Sequence, residues 1–361
     1  MLSIYDIANA PLVELMLEAD RLRSGVFANH VDLCAIVNIK SGRCDMNCRF
    51  CAQSKHYQTG VDTYPLRDTS DLIESTRTIW KNDVRRVGWV ASGCKLSQSD
   101  LDKVLIAADK LALRNKSKTS DKLSSKTPSN GSNTSNESNT SNGSNTLNES
   151  NTSDVSNPSV VSGGGEAGGV LCCASFGQLD TESLKRLQSA GFAHYHHNLE
   201  TSERFYPNIC TTQRWRDRLS TLYRVLDLGW EVCSGGLFGL GESWEDRMQL
   251  ALTLKRLNVK SAPLNFYNAV AGTPLSCSES LGVDEALRIV ALFRLMLPEA
   301  SIRICGGRPK IFADRVKELF HAGADSLMTG NYLTTNGNSP ENDKKMITEA
   351  GFIVTKNNDA I

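Results

Sequence analysis

The stretch Ser41-Gly-Arg-Cys-Asp-Met-Asn-Cys-Arg-Phe-Cys-Ala-Gln-Ser54 follows a strand-like run at 34–40 and places Cys44, Cys48 and Cys51 in one short loop. A Cys-x3-Cys-x2-Cys spacing supplies three thiolates, the soft ligands that iron–sulfur clusters prefer. Because a [4Fe-4S] cluster has four irons, three ligands leave one iron open to a small molecule. The loop therefore predicts a cluster with a reactive iron, and hence an enzyme.

A structural zinc knuckle is the alternative for these cysteines. Such a site normally has four Cys or His ligands, and His56 is the only nearby candidate for the fourth. Zinc loops usually pair two Cys-x2-Cys knuckles, and the sequence has no second one, so a cluster is favoured. The spacing, with Phe50 just before the last cysteine, resembles the signature of the radical AdoMet (S-adenosylmethionine) enzymes. In that superfamily AdoMet binds the open iron and the aromatic residue lies near the adenine.

The composition is that of an ordinary globular protein, with 361 residues, 40% hydrophobic and 22% charged, and a formal net charge of zero. Zero net charge gives no electrostatic footprint for nucleic acid or an anionic membrane. No apolar run approaches the roughly 18 residues that span a bilayer, and residues 1–20 lack the pattern of an export signal. Eleven cysteines in such a chain favour metal ligation and free thiols over disulfides. We therefore expect a cytoplasmic protein that binds neither nucleic acid nor membrane.

Residues 116–169 differ from the rest of the chain. From 132 to 149 they repeat a six-residue Ser-Asn-Thr-based unit with almost no apolar content. Such a composition cannot bury enough surface to offset its conformational entropy. We expect a disordered Ser/Asn/Thr insert at 116–169 between the first part of a barrel, 1–115 with the cluster loop 41–54, and its remainder with a C-terminal extension, 170–361.

Outside the insert, strand-like and helix-like stretches alternate, as in a parallel sheet with crossover helices. Eight strands are predicted, at 34–40, 85–91, 170–175, 193–198, 231–234, 264–268, 301–304 and 326–329. Helices are predicted at 71–81, 99–113, 181–189, 214–228, 244–257, 284–297 and 310–321. This pattern predicts an α/β fold, a (β/α)8 TIM-type barrel, with its chemistry at the carboxyl ends of the strands.

Longer strings resemble the biotin synthase family of radical AdoMet enzymes. They are Tyr195-His-His-Asn-Leu-Glu-Thr-Ser202, Glu231-Val-Cys-Ser-Gly-Gly-Leu-Phe-Gly-Leu-Gly-Glu242, Pro263-Leu-Asn-Phe266, Gly272-Thr-Pro-Leu275 and Gly330-Asn-Tyr-Leu-Thr-Thr335. The resemblance implies cleavage of AdoMet to a 5′-deoxyadenosyl radical, hydrogen abstraction from dethiobiotin, and sulfur capture from an auxiliary cluster, [2Fe-2S] or a variant. It also implies a flavodoxin or ferredoxin electron donor and a homodimer.

The resemblance assigns AdoMet-binding roles to several residues. Asn198 and Glu200 match positions that hold the ribose, and a carboxylate suits vicinal hydroxyls as an acceptor. Arg218 matches a position that meets the AdoMet carboxylate, where a guanidinium can form paired hydrogen bonds. Ser92 and Gly93 lie where the superfamily backbone meets the methionine amino group. No side chain is expected to act as an acid or base.

The substrate would be held by two amides, since Asn198 and Asn265 match positions that hold the cyclic urea of dethiobiotin. An amide side chain can both donate and accept hydrogen bonds there. Without the resemblance, an Asn at a strand end would be read as a turn residue. The Gly-rich string at 239–242 lacks the full dinucleotide-binding pattern and predicts no nucleotide site.

The auxiliary cluster of the family is held by three cysteines and an arginine, and this chain departs from that pattern. Cys173, Cys233 and Arg303 match, but Gly88 stands where the third cysteine is expected. Residues i and i+2 of a strand point to the same face, so Cys305 is placed near Arg303. We therefore expect Cys173, Cys233 and Cys305 to hold this cluster, with Arg303 close by or ligating.

Other cysteines fit the auxiliary site less well. Cys94 lies six residues beyond Gly88, roughly 20 Å along an extended strand, and cannot easily reach the same cluster. Cys172 has the opposite parity to Cys173 and is expected to point toward the helices. No role is assigned to Cys34, Cys210 or Cys277.

Two alternatives remain open. The missing third cysteine would suit a related radical AdoMet enzyme, such as a hydrogenase-cofactor maturase or a carbon-skeleton mutase, which does not insert sulfur. The family-like strings oppose that interpretation. A non-catalytic scaffold that binds zinc or a cluster is the second alternative, and it would not cleave AdoMet.

Overall fold

The structure is a computed structural model that describes residues 4–111, 113 and 170–356, and the predicted insert at 116–169 lies outside them. The strands are β1 (His30–Lys40), β2 (Arg86–Ala91), β3 (Leu171–Ser175), β4 (His194–His196), β5 (Glu231–Cys233), β6 (Gly236–Phe238), β7 (Ser261–Phe266), β8 (Ser301–Ile304), β9 (Ser326–Met328) and β10 (Ile353–Val354). The α-helices are α1 (Ile4–Asn9), α2 (Leu12–Phe27), α3 (Thr69–Lys81), α4 (Gln98–Leu111), α5 (Thr181–Ser189), α6 (Trp215–Asp227), α7 (Trp244–Arg256), α8 (Val283–Met296), α9 (Arg308–Phe312), α10 (Glu318–His321) and α11 (Pro340–Glu349).

The strands form a closed parallel barrel. The order β1-β2-β3-β4-β5-β7-β8-β9 closes where β9 pairs back with β1, with Asp32 opposite Ser326. β6 continues β5 after a break at Ser234 and Gly235, and pairs with β7. The predicted (β/α)8 TIM-type fold is therefore confirmed. β10 pairs with the start of β1.

Burial explains why these segments form a barrel. Strands of a parallel barrel are covered on both faces and need apolar residues at nearly every position. All residues of β1 are accordingly buried or half-buried. Some of the surrounding helices begin at side-chain caps, as in α7, where Ser243 and Asp246 form a capping box. None of the described helices is both long and apolar enough to cross a membrane.

The predicted helix at 310–321 is wrong as a single element. The chain there forms α9, a 3-10 turn at Ala313–Arg315 and α10. Ala313 has a φ of +40°, a left-handed conformation that interrupts a right-handed helix. All eight predicted strands are present, with ends that differ by a few residues. The terminal elements α1, α2, α11 and β10 were not predicted, since no motif marked them.

The register of the strands places candidate site residues beside one another on neighbouring strands. Gly88 on β2 lies opposite Cys173 on β3, and His196 on β4 lies opposite Cys233 on β5. Side chains at equal height on neighbouring parallel strands point to the same side of the sheet. The barrel interior is therefore lined by thiols and imidazoles at this level.

Candidate active site

A cavity of about 370 Å³ lies inside the barrel, within the range of about 300–1,000 Å³ usual for small-molecule sites. It brings together most of the predicted site residues. Its lining includes Phe50, Gly88, Asn198, Glu200, Arg218 and Asn265, and also Cys34, Cys173, Cys233, Arg303 and Cys305. Residues from strands far apart in the sequence thus share one space.

The cysteine loop lies beside this cavity. It folds back on itself, with Cys44 N donating to Gln53 O at 2.9 Å and Cys51 N donating to Cys48 O at 3.0 Å. Cys48 is near enough to Arg218, and Cys51 to Glu200, for these charges to influence the pKa of each thiol. The three thiols of the loop therefore lie next to the residues predicted to hold AdoMet.

The zinc alternative finds no fourth ligand in His56. Its Nε2 contacts the carbonyl oxygen of Asp45 at 3.0 Å. Within residues 4–111, 113 and 170–356, no three Cys, His, Asp or Glu side chains converge tightly enough to hold a single ion. A zinc site gathers its sulfurs about 2.3 Å from one metal, whereas a polynuclear cluster spaces its thiolates around a larger cage. The three soft donors of the loop fit a cluster.

Glu200 and Arg218 form an ion pair at the cavity wall. Arg218 Nη2 lies 3.1 Å from Glu200 Oε1, and Arg218 Nε donates to the carbonyl of Asn198 at 2.6 Å. Burial raises the pKa of Glu200, and the guanidinium partly offsets this effect. Glu200 also has a φ of +71°, a left-handed conformation that is costly for a side-chain-bearing residue and is often found at functional sites.

Other residues predicted to bind AdoMet form hydrogen bonds within the protein. Arg218 Nη1 donates to Gln213 Oε1 at 2.9 Å. Hydrogen bonding of Arg218 to the AdoMet carboxylate stays a prediction. Ser92 Oγ donates to the carbonyl of Gly42 at 2.8 Å and thereby supports the cysteine loop. Gly93 adopts a φ of +118°, which suits glycine.

The two amides predicted to meet the substrate are fixed by backbone bonds. Asn198 Oδ1 accepts from Gly235 N at 3.0 Å, and Asn265 Oδ1 accepts from Gly306 N at 3.0 Å. Asn265 Nδ2 donates one bond to Gly236 O at 3.3 Å. Asn198 Nδ2 donates to Glu200 Oε2 at 3.5 Å. Because an amide NH2 group carries two hydrogens, each side chain keeps one N–H for a further hydrogen bond.

Arg303 is at the centre of the deep part of the cavity. Its Nε donates to Ser326 Oγ at 2.8 Å, while Nη2 lies 3.5 Å from Asp32 Oδ2 and is buried without a hydrogen-bond partner. Burial opposes its charge, but the nearby Cys34 and Cys233 thiols raise the pKa of Arg303. Four thiols share this region: Cys34, Cys173, Cys233 and Cys305. A buried guanidinium nitrogen without a hydrogen-bond partner, beside four soft donors, fits an iron–sulfur cluster.

The thiols of this region differ in acidity. Burial raises the pKa of Cys34 to about 11 and that of Cys173 to about 12. Burial also tends to raise the pKa of Cys233, but neighbouring groups lower that pKa to about 7. The main such group is His196, whose Nδ1 lies 3.4 Å from the Cys233 sulfur. Iron binding must therefore displace protons from most of these thiols.

Sequence reasoning missed Cys34. It lies on β1, in the cavity wall, and influences the pKa of Arg303 and Cys173. Because β1 is buried on both faces, hydrophobic alternation gave no sign of which face Cys34 occupies. At Gly88, a Cβ atom would meet only Ile36 Cγ2 at 3.4 Å and a backbone oxygen at 3.8 Å, so this position has room for a side chain.

The other cysteines lie as expected. Cys172 is fully buried in the hydrophobic core, while its neighbour Cys173 lines the cavity. The sulfur of Cys94 lies 3.8 Å from Gln178 Oε1 and close to Cys44, which places it near the first cysteine loop. Cys94 is therefore not part of the auxiliary site.

Comparison with known proteins identifies the family. Residues 38–254 match the Radical SAM superfamily, and residues 263–353 match the Biotin and Thiamin Synthesis associated domain. Biotin synthase of Desulfovibrio desulfuricans is 39% identical over 348 residues, which cover 96% of this chain and 93% of that protein. The chain belongs to the biotin synthase family. Biotin synthase of Campylobacter hominis is 36% identical, over 98% of this chain and 93% of that protein.

Solved structures share the fold at low sequence identity. Methylornithine synthase is 16% identical with a TM-score of 0.72, over 99% of this chain and 95% of that one. The FeFe-hydrogenase maturase from Carboxydothermus hydrogenoformans is 15% identical with a TM-score of 0.71, over 98% of this chain and 76% of that one. These similarities concern the barrel alone, whereas the full-length relatives favour the biotin synthase family over the maturase alternative.

Proposed function

We propose that the protein inserts sulfur into dethiobiotin to form biotin, using AdoMet and two iron–sulfur clusters. The observation that carries the proposal is one cavity that extends from the Glu200–Arg218 pair, beside the three-cysteine loop, to a group of thiols around Arg303. Two amides line the space between them. A substrate held by these amides would therefore lie in the same cavity as the residues for AdoMet and the thiols for the auxiliary cluster.

The first group of residues would hold the [4Fe-4S] cluster and AdoMet. Cys44, Cys48 and Cys51 would supply the three thiolates, and Phe50, in the cavity wall, would contact the adenine. When bound, the two clusters supply the electron that cleaves AdoMet and the sulfur that is inserted. Glu200 accepts hydrogen bonds from the ribose hydroxyls, and Arg218 holds the Glu200 carboxylate in place.

The substrate is oriented by Asn198 and Asn265. Both Oδ1 atoms accept from backbone N–H groups, and each Nδ2 group donates one bond within the protein. The second N–H of each Nδ2 group would donate to the carbonyl oxygen of the cyclic urea. This arrangement would hold the urea in the same cavity as the thiols around Arg303. The side chains act by positioning the reacting carbon and by excluding water, so none is needed as an acid or base.

The auxiliary cluster would be held by cysteines around Arg303. Cys173, Cys233 and Cys305 are the predicted ligands, and Cys34 adds a fourth thiol in the same wall. This set replaces the cysteine that is missing at Gly88, because Cys34 lies on β1, directly beside β2. Arg303 would lie near this cluster or bind it through Nη2, which has no hydrogen-bond partner in the protein.

The partners and location complete the proposal. A one-electron donor of the flavodoxin or ferredoxin type reduces the first cluster, and the chain assembles as a homodimer. All eleven cysteines fall within the described residues and none forms a disulfide. Free thiols and oxygen-sensitive clusters suit a reducing, cytoplasmic environment.

An anaerobic assay tests the function. Reconstituted, reduced protein is incubated with AdoMet and dethiobiotin, and both 5′-deoxyadenosine and biotin are measured. Formation of both supports sulfur insertion. 5′-Deoxyadenosine without biotin would indicate a relative that does not insert sulfur, and no AdoMet cleavage would indicate a non-catalytic scaffold.

Iron and sulfide analysis tests the ligand sets. The Cys44→Ala/Cys48→Ala/Cys51→Ala variant is expected to lose the first cluster and keep iron and sulfide at the auxiliary site. Adding Cys305→Ala to this variant is expected to lower the remaining iron, whereas adding Cys277→Ala, at an exposed thiol, is the matched control. Complete loss of iron in the triple variant would argue against a second cluster.

A further inference from the structure

Residues 209–212 of the same chain pack against the cysteine loop. Arg49 N donates to Ile209 O at 2.9 Å, and Asn47 N donates to Thr212 Oγ1 at 2.9 Å. Thr211 N donates in return to Asn47 Oδ1 at 2.9 Å. Residues 47–49 and 209–212 therefore run past each other in opposite directions and are held at both ends.

This register sets Cys48 opposite Cys210. Position 49 pairs with 209 and position 47 with 211 and 212, so the residues between them face each other. A disulfide needs its two Cα atoms about 4.4–6.8 Å apart, and the hydrogen bonds on either side of Cys48 and Cys210 hold the two residues next to each other.

The side chains agree with the backbone. The two thiols lie close enough for each to influence the pKa of the other. The Cys210 sulfur also lies 3.5 Å from Asn47 Oδ1, on the residue before Cys48. Cys210 is buried, with 3% of its surface exposed, and takes no part in the proposed reaction.

We propose that Cys48 and Cys210 form a reversible disulfide when the loop carries no cluster and meets oxygen. The inference rests on the proposed function only in taking Cys48 as a cluster ligand, because a sulfur bound to iron cannot pair with Cys210. In cluster-free protein each thiol gives up one proton and one electron as the S–S bond forms. Molecular oxygen accepts both electrons and both protons and becomes hydrogen peroxide. A reducing dithiol reopens the bond by exchange, and the cluster can then be rebuilt.

The disulfide protects the loop. An exposed cysteine that meets oxygen alone proceeds to sulfinic and sulfonic acids, which thiols do not reverse. Pairing with Cys210 stops Cys48 at an oxidation level that thiols do reverse. The segment at 209–212 therefore links covalently to the cluster loop under oxidising conditions and releases it on reduction.

Peptide mapping tests the pairing. Cluster-free protein is prepared anaerobically with a chelator, exposed to air, blocked with iodoacetamide, digested without reductant and analysed by mass spectrometry. A peptide linking Cys48 to Cys210 is expected to be the main cross-link, absent from cluster-loaded anaerobic protein and lost after dithiothreitol. Cys48 linked mainly to Cys44 or Cys51, or found unpaired or as sulfinic acid, would overturn the proposal.

Recovery of the cluster tests the protective role. After air exposure, thiol reduction and reconstitution, Cys210→Ala is expected to regain at least about threefold less cluster than wild type, because Cys48 then over-oxidises. Cys277→Ala is the matched control and is expected to recover like wild type. Equal recovery of all three would refute the protective role. Where Cys210→Ala loads poorly even without oxygen, the wild-type peptide map alone decides.

The ligand role of Cys48 is tested separately. Anaerobic Cys48→Ala protein is expected to lose the iron of the first cluster. A cross-link in cluster-free wild type together with full iron in Cys48→Ala would support the pairing and reject the ligand assignment. Failure of the inference and failure of the proposed function are thus distinguishable.

Discussion

Replacing Asp343 by Asn removes the charge that balances Arg308 beneath the C-terminal segment of the cavity wall. Arg308 Nη1 and Nη2 donate to the two carboxylate oxygens of Asp343 at 2.9 and 2.6 Å. Both side chains are fully buried, at 0% exposure. Arg308 also donates to the carbonyl of Met328 at 3.2 Å, and Asp343 accepts from Asn338 at 3.2 Å. The pair therefore ties α9, β9 and α11 together.

The size of the effect follows from this burial. Removing one partner of a buried ion pair costs about 3–5 kcal/mol, because the other charge is left uncompensated. About 300 described residues at about 2.1 cal/mol/K each give an unfolding entropy of about 0.6 kcal/mol/K. Asp343→Asn is therefore expected to lower Tm by about 5–8 °C. Differential scanning calorimetry of anaerobic protein with matched iron content measures the shift.

The control is an exposed pair in the same region. Lys317 and Glu349 are 3.1 Å apart and about half exposed, and such pairs contribute less than about 1 kcal/mol. Glu349→Gln is therefore expected to shift Tm by less than about 2 °C. The Arg308→Met/Asp343→Leu double variant is expected to be more stable than Asp343→Asn, since no buried charge is left over. Equal shifts in Asp343→Asn and Glu349→Gln would refute the reasoning.

Three further predictions concern the site. Gly88→Cys is expected to fold and to change the free energy of unfolding by less than about 1 kcal/mol. The new Cβ meets only ordinary van der Waals contacts, and glycine is itself costly in a strand. A Tm several degrees below that of wild type would contradict this prediction. Glu200→Gln is expected to weaken AdoMet binding about tenfold, through loss of a charged acceptor worth about 1.5 kcal/mol, whereas the exposed Glu203→Gln leaves it unchanged in calorimetric titration. Equal affinities would count against the ribose assignment. In cluster-free protein, the pKa of about 7 for Cys233 predicts that its alkylation rate rises about tenfold between pH 6 and pH 8, because the reactive thiolate forms as pH rises. The rate is measured for the Cys233 peptide at each pH. A titration midpoint of that rate near pH 9 would contradict the His196 bond.

The barrel was predictable because its signals are local. Strands buried on both faces are nearly continuous apolar runs, and helices between them show their own period, so all eight strands could be placed. The error at 310–321 has a conformational cause. Ala313 takes a left-handed φ that its side chain does not signal, and this ends the helix.

The ligands of the first cluster could also be predicted from a short stretch of sequence. Cys44, Cys48 and Cys51 lie within eight residues of sequence, so their donor set can be read without knowing the fold. Asn198, Glu200 and Arg218 needed a family resemblance, because single polar residues at strand ends are common. The structure brings these three together through the ion pair and the Arg218 bond to the Asn198 carbonyl.

The sequence by itself determined the soft ligand loop, the alternating strands and helices, and the absence of a cysteine at position 88. Only the tertiary structure decided that Cys34 joins Cys305 near Arg303, and that Cys210 faces Cys48. The physical reason is that barrel closure and loop docking join residues more than 150 positions apart. Such contacts depend on strand register and on a few backbone hydrogen bonds, which no local pattern of residues encodes.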